Sequence, residues 1–457
     1  MTQDAAKAPS PTGKIRPEDL RLQRPAEGVV PSDFPIYRLR SLGQRLEPMS
    51  SAEDIGGLHA PSGKWGDAES LLGRGDTRGV RNLLGALPDP NGDENEQDRR
   101  RHASYLARAA LMDGEIGLAR EILGEMRTHP DCAVADATLQ LAEGQLDAAN
   151  ARITAALEQS PEGLAEHYVL GLLRVAEGRI QEATDALEGV AACATDHAVA
   201  RHQLGQILLN YGDNARAGTL FEMAIAIAPG FVPPAMALAD MMIQSRQFSD
   251  AMNVLSDAAE AAPQVIAPRV MQLRLLLDLG ENEMAADLAT GLRKIAPDSV
   301  EILTLWARAM CFVGRGEEAI ALVDPCIEAA SGNERAELLR SRAQLDLMQS
   351  PPQKKTAIER LEEASTCAAD PSEVLLELAQ LQLGEGDSVG AAANLGRLRT
   401  LPDIDLNLVY TAAMLAKTHR LWGCARDLGK EVLQQVQGSP AQRQLEDFLS
   451  EIPEDDG

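Results

Sequence analysis

Residues Arg201 to Pro229 read RHQLGQILLNYGDNARAGTLFEMAIAIAP, and this stretch decides the fold. A first apolar run, which contains the Leu204-Gly205 pair, is ended by Gly212. In the second run, small and aromatic residues recur at helical spacing: Ala217, Phe221 and Ala224. A helix, a tight turn and a second helix fit this order, and Pro229 closes the unit. A small residue in each helix would let the two backbones approach closely.

The small residue at Ala217 recurs through the chain with a period of about 34 residues. Ala183 precedes it by one period and Ala251 follows it by one. One longer step, from Ala319 to Ala357, breaks the period. The full set in register is Ala119, Ala149, Ala183, Ala217, Ala251, Ala285, Ala319, Ala357, Ala391 and Ala425.

Two further residue types recur with the same period, so the spacing of the alanines is not a chance result of an alanine-rich sequence. Five positions before these alanines stand Gly114, Gly144, Gly178, Gly212, Gly280, Gly314 and Gly386. Prolines end several of the units, at Pro161, Pro229, Pro263 and Pro297. This pattern resembles the tetratricopeptide repeat, a 34-residue helix-turn-helix unit. The resemblance implies an all-α, right-handed α-solenoid.

The repeat pattern also predicts how the chain is divided. Residues 1–65 are rich in proline without sustained periodicity, which predicts a disordered N-terminal tail. Residues 66–98 are expected to form a degenerate leading repeat and an acidic loop, and residues 99–437 ten repeats. Residues 438–457 are expected to form a C-terminal capping helix and an acidic tail. Pro325, inside a predicted second helix, is expected to kink or interrupt it.

Composition restricts the class of protein. The net charge of −26 argues against a nucleic-acid partner, because phosphate recognition needs a basic surface. Six scattered cysteines without a CxxC pair indicate free thiols in a reducing compartment. The start, MTQDAAKAPSPTGK, has no apolar signal region, and no apolar run is long enough to cross a membrane. We therefore expect a cytoplasmic protein without membrane insertion.

No motif for catalysis, a cofactor or a metal is found. Residues 57–64 resemble a phosphate-binding loop, but one residue too many separates the glycines, and Trp65 replaces Ser or Thr. The acidic run that begins at Asp89 has Glu94 where a calcium loop needs Gly. The seven histidines lack zinc-site spacing. We expect a non-enzymatic protein without a cofactor.

In tetratricopeptide arrays the first helix of each repeat lines a groove, and the resemblance assigns repeat positions 2, 5, 9 and 12 to that groove. Position 9 carries Arg274, Arg308 and Arg342 in three consecutive repeats. Arginine binds carboxylates through two parallel hydrogen bonds, so this row is a candidate site for an acidic stretch of a partner polypeptide. The alternative is that each arginine pairs with its own neighbours, such as Asp278 or Glu301.

Further candidate peptide-binding residues lie at groove positions of the earlier repeats. They are Tyr168, His202, Gln206, Met236 and Asp240. Position 9 of the first repeat is Arg108. The groove is expected to be largely apolar beside the arginines, which suits a peptide with apolar anchors and acidic residues. We expect His202 to be a polar lining residue.

The resulting functional hypothesis is a protein–protein interaction scaffold or adaptor that binds a partner segment in its groove. An alternative is a regulatory or substrate-recruiting subunit of a separate enzyme or of a secretion or envelope assembly machine. Residues 33–42, DFPIYRLRSL, are the one apolar island of the tail. They are a docking motif for a partner, a segment that docks on its own solenoid, or a segment without such a role.

Overall fold

The computed structural model describes residue 58 and the ranges 61–86, 95–401, 404–435 and 441–453. The apolar island at 33–42, most of the proline-rich tail and the acidic run at 89–94 lie outside these residues. The contacts divide the chain into two compact units, of which the N-terminal unit is Arg45–Val265 and the C-terminal unit is described from Ile266 onward.

The N-terminal unit contains twelve α-helices in its described residues. They are α1 Lys64–Gly73, α2 Thr77–Leu84, α3 Glu96–Met112, α4 Ile116–Leu123, α5 Ala133–Ala142, α6 Leu146–Gln159, α7 Leu164–Ala176, α8 Ile180–Cys193, α9 Ala198–Asn210, α10 Asn214–Ile227, α11 Pro233–Gln244 and α12 Phe248–Ala261. Two short 3-10 turns separate α4 from α5, Gly124–Thr128 and Pro130–Cys132.

The C-terminal unit contains eleven α-helices in its described residues. They are α13 Ala267–Leu279, α14 Asn282–Ile295, α15 Val300–Phe312, α16 Gly316–Ala329, α17 Gly332–Met348, α18 Lys354–Cys367, α19 Ser372–Gly384, α20 Ser388–Leu398, α21 Leu406–Thr418, α22 Trp422–Gln435 and α23 Ala441–Ser450. The protein is all-α throughout the described ranges, as the sequence predicts.

From α1 to α22, odd-numbered helices are the first helix of a pair and even-numbered helices are the second. Each second helix from α4 to α22 contributes one alanine of the sequence register, from Ala119 to Ala425, and all ten are at most 1% exposed. Because an alanine occupies little volume, the backbone of the second helix can approach its neighbours closely. This explains why the alanine is repeated. The division of the chain into ten family repeats stays a prediction.

The glycines of the register end the first helices. All seven have a positive φ, between 73° and 84°, a conformation that a Cβ atom disfavours. At two equivalent positions the chain instead has Arg246 and Arg420, with φ of 60° and 61°. The turn geometry is therefore maintained even where the glycine is absent.

The α9–α10 pair shows how the opening stretch packs. A Cβ atom added to Gly205 on α9 would lie 2.6 Å from the Phe221 ring of α10, so only a glycine allows this approach. Phe221 is fully buried. The Asp213 side chain accepts a hydrogen bond from the backbone N–H of Arg216 and caps the start of α10.

Two features differ from the expectations. Pro325 lies inside α16, and the helix is not interrupted there but runs from Gly316 to Ala329, whereas a kink at the proline stays a prediction. Helix α1 begins at Lys64, and Leu58 is buried in the core of the N-terminal unit, although residues up to 65 were expected to be disordered. The reason is that residues near the end of the proline-rich stretch, such as Leu58 and Trp65, have apolar surface to cover.

Candidate functional site

Two of the three predicted arginines are accessible in the C-terminal unit. Arg274 lies on α13 and Arg308 on α15, and these first helices pack against each other. Their side chains are 60% and 40% exposed. An Nη2 atom of Arg274 lies 2.7 Å from Glu301, and that of Arg308 lies 3.7 Å from Asp278. The neighbour pairing that the sequence left open therefore occurs, on a solvated surface.

Arg342 differs from the other two arginines. Its side chain is only 8% exposed, and it pairs with Asp324 of α16 and Asp346 of α17. Asp346 also binds Arg360 of α18, with Nε at 2.8 Å. Arg342 therefore belongs to a network that faces the second helices. The four extra residues between the two helices of its own repeat, and the longer α17, accompany this change of side-chain environment.

The remaining predicted residues lie on first helices of the N-terminal unit. Tyr168 is on α7, His202 and Gln206 are on α9, and Met236 and Asp240 are on α11. The first four are half-buried, whereas Asp240 is exposed and accepts a hydrogen bond of 2.7 Å from Gln244. The predicted set is thus divided between the two units.

Aromatic packing surrounds two of these residues. The Tyr168 ring lies 5.1 Å from the His197 ring, and the His202 ring lies 5.7 Å from both Phe221 and Phe231. Burial raises the pKa of Tyr168 and lowers the pKa of His202 to about 4. Both side chains are therefore neutral at pH 7 and act as packing groups of the first-helix face.

The sequence did not reveal that α1 lies on this same face of the N-terminal unit. Glu69 of α1 accepts two hydrogen bonds of 2.7 Å from Arg108 of α3, and its side chain is only 2% exposed. Trp65 stacks on Tyr105 with a centroid distance of 5.7 Å and an interplanar angle of 11°. Ala68 and Leu72 complete the buried side of α1. Arg108 was visible at a groove position, but nothing in the sequence indicates its partner.

Helix α1 also reaches α9, four pairs further along the N-terminal unit. The Ser70 hydroxyl donates a hydrogen bond to Asp196, which lies just before α9. The backbone at Gly73 lies against the His197 ring, and the backbone at Gly75 lies against Phe231. Helix α1 therefore bridges first helices that are not neighbours in the chain.

Beside α1 the face has an open cavity of about 710 Å³. Its lining includes Trp65, Glu69, Tyr105, Arg108, Val134 and Glu166. Burial raises the pKa of Glu166. Burial alone would also raise the pKa of Glu69, but the charge and hydrogen bonds of Arg108 outweigh it and hold the pKa below its ordinary value. Glu69 is therefore a carboxylate at neutral pH, as the paired geometry requires.

No group of three or more His, Cys, Asp and Glu side chains among the described residues is arranged to hold a metal ion. None of the helices in the described ranges is both long enough and apolar enough to span a membrane.

Comparisons with solved structures give long but distant matches. A tetratricopeptide repeat protein from Parabacteroides merdae is 16% identical, with 56% of this chain and 98% of that chain covered and a TM-score of 0.42. Yeast Tom70 is 15% identical, with coverages of 80% and 84% and a TM-score of 0.47. A human IFIT1 dimer with m7Gppp-AAAA is 14% identical, with coverages of 84% and 86% and a TM-score of 0.43. Likeness at this level carries no argument about partner or activity.

The sequence comparisons are more specific. No curated protein matches the chain. A family profile for the tetratricopeptide repeat matches residues 208–274, which include the helices from α10 to α12. The alanine and glycine positions described above continue the same helix-pair pattern on both sides of that segment. The chain therefore contains tetratricopeptide repeats, and residues 208–274 belong to that family.

Proposed function

We propose that the protein is a non-enzymatic scaffold that binds a segment of a partner polypeptide on its first-helix faces. The tetratricopeptide fold is generally a protein-interaction scaffold. The carboxylate-binding site that we assign to the partner is formed by Arg274 and Arg308. Gln206, Met236 and Asp240 are proposed contact residues of the N-terminal unit, and Tyr168 and His202 support the same face from beneath.

One observation carries this proposal: Arg274 and Arg308 are accessible cations on adjacent first helices, beside an accessible aromatic ring. The guanidinium of Arg308 lies 5.8 Å from the Phe312 ring centroid, and Phe312 is 43% exposed. A peptide with acidic residues and an apolar anchor matches this combination of charge and apolar surface.

The present partners of the two arginines do not prevent such binding. Both Glu301 and Asp278 are at least half exposed, at 50% and 68%. Exposed ion pairs contribute only about 0–1 kcal/mol, so a partner carboxylate can replace either one at little cost. Because the chain has a net charge of −26, long-range repulsion opposes an acidic peptide, and binding is best measured near 0.15 M salt, where screening is effective.

The test is a fluorescence-anisotropy titration of the full chain with labelled peptides that combine a Phe or Leu anchor with glutamates three or four residues apart. An Arg274→Ala/Arg308→Ala chain is expected to bind such peptides at least tenfold more weakly than the unaltered chain. Glutamine counterparts of the peptides are expected to bind neither chain.

The matched control is Arg315→Ala, which removes another exposed, ion-paired arginine at the start of α16. Its affinity for the peptides is expected to equal that of the unaltered chain. Equal losses in the control and the double variant, or no loss in the double variant, would refute the assigned site.

A further inference from the structure

Helix α1 has the properties of a weakly held occupant of the N-terminal unit. It has only ten residues, it contains Gly66 and Gly73, and its N-cap residue Gly63 offers no side-chain cap. A helix of this length is marginal in water, and Gly66, inside its first turn, weakens it further. Its helical state therefore depends on the surface that it covers.

The contact of α1 with that surface is specific, and an open cavity lies beside it. The cavity has a volume of about 710 Å³ and lies between α1, α3 and the starts of α5 and α7. At the centre of the contact lies the Glu69–Arg108 ion pair. A buried ion pair gives little net stability, because the cost of desolvation offsets the attraction. A helix without a carboxylate at that point is nevertheless strongly disfavoured, because it would leave the Arg108 charge buried without a partner.

The side chains of α1 that make the contact are spaced as one face of a helix. Trp65 stacks on Tyr105, Glu69 pairs with Arg108, and Leu72 packs in the apolar cluster. Glu69 stands four residues after Trp65, and Leu72 stands three residues after Glu69. Residues at such spacings lie on the same side of a helix. An extended segment could not place all three side chains on these receptors.

We propose that the surface formed by α3, the starts of α5 and α7, and the N-terminal end of α9 is a binding site for a helix of a partner protein, and that α1 occupies it until that helix displaces it. The partner helix presents an aromatic residue, a Glu or Asp four residues later and a leucine three residues after that. This site is separate from the Arg274–Arg308 site, and either one can fail without the other.

Charge supports this choice of occupant. Whenever α1 leaves, Arg108 lies at the edge of an open cavity, where water hydrates it, so release does not leave an unpaired buried charge. A partner carboxylate then restores the two hydrogen bonds that Glu69 makes. An apolar partner helix would bury the Arg108 guanidinium without compensation and is excluded for that reason.

The test uses the full chain and a fluorescein-labelled peptide of residues 61–76, PSGKWGDAESLLGRGD. A Glu69→Gln chain, in which the internal helix has lost its charge, is expected to bind the peptide at least about tenfold more tightly than the unaltered chain. The peptide with Gln in place of Glu69 is expected to lose at least about tenfold in affinity for the same chain. Circular dichroism checks that the variant stays folded.

Two further variants keep the test decisive. Trp65→Ala leaves the Glu69–Arg108 pair in place and is also expected to bind the peptide more tightly than the unaltered chain. Arg120→Gln changes an exposed arginine of α4, outside the proposed surface, and it is expected to leave peptide affinity unchanged. The proposal is overturned if the peptide binds all chains equally or none. It is also overturned if sedimentation shows that α1 of a second copy occupies the site in a dimer.

Discussion

The replacement Gly205→Ala tests the close approach of α9 and α10. The new methyl carbon would lie 2.6 Å, 2.9 Å and 3.0 Å from three atoms of the Phe221 ring. Ordinary carbon contacts need about 3.5–4.0 Å, so the ring or the helix must move by about 1 Å. Phe221 is fully buried, and overpacking of such a site costs about 1–3 kcal/mol. The better helix propensity of alanine offsets about 1 kcal/mol of this cost.

The matched control is Gly291→Ala in α14, where an added Cβ atom meets no other atom within 4 Å. That variant is expected to be stabilised by up to about 1 kcal/mol, from helix propensity alone. The two substitutions are chemically identical, so the difference between them isolates the contact with Phe221. We expect the free energy of unfolding from urea titration to differ by about 1–3 kcal/mol between the two variants.

A double-mutant cycle completes the measurement. Phe221→Leu removes the ring that the new methyl group contacts, so Gly205→Ala is expected to cost less in that background, and the two changes are not additive. Native-state hydrogen exchange of the α9 and α10 amides locates the effect in this pair. The reasoning is refuted if Gly205→Ala stabilises the protein as much as Gly291→Ala does.

Two other predictions follow from the turns and from the contact of α1. Gly212 has a φ of 80°, and an added Cβ atom meets nothing within 4 Å, so Gly212→Ala is expected to lower the free energy of unfolding by about 1 kcal/mol through backbone strain alone. Arg246→Gly, at the equivalent turn, is expected to raise it by about 0.5 kcal/mol in the same urea assay. Changes of the opposite sign would contradict this account. Burial lowers the pKa of His197 to about 4. The buried neutral imidazole therefore contributes its full stability above pH 6.5, the pKa of a free histidine, and this stability is lost as the pH falls toward 4. His197 alone is expected to lower the free energy of unfolding by about 2 kcal/mol between pH 7 and pH 5. His197→Asn, which retains a capping side chain for α9, is expected to reduce the slope by that amount and to leave the similar contribution of His202 in place.

The sequence predicted the fold because the fold depends on local spacing. The alanine at Ala217 and the glycine at Gly212 mark a second helix and a turn within one repeat, and both requirements recur every 34 residues. Arg342 shows where that reasoning fails. The acidic side chains of α16 and α17 that surround it are not part of the repeat pattern.

The contact of α1 could not be predicted for a different reason. Glu69 and Arg108 are 39 residues apart, and Ser70 and Asp196 are 126 residues apart. Whether a leading helix reaches α9 depends on how much each helix pair is rotated relative to the next within the N-terminal unit. Small differences in side-chain volume at many interfaces set that rotation, and no single residue carries it.

The N-terminal unit provides an internal example of the chemistry that we propose for the C-terminal unit. Arg108 occupies the same repeat position as Arg274 and Arg308, and it holds a carboxylate through two hydrogen bonds of 2.7 Å from a helix lying across the first-helix face. The arginine side chain at this position therefore has the length and direction needed to bind an acid from outside its own repeat. Arg274 and Arg308 differ in that neighbouring, exposed carboxylates hold them at present. Because such pairs exchange at little cost, the two C-terminal arginines are available to a partner, whereas Arg108 becomes available only after α1 is displaced.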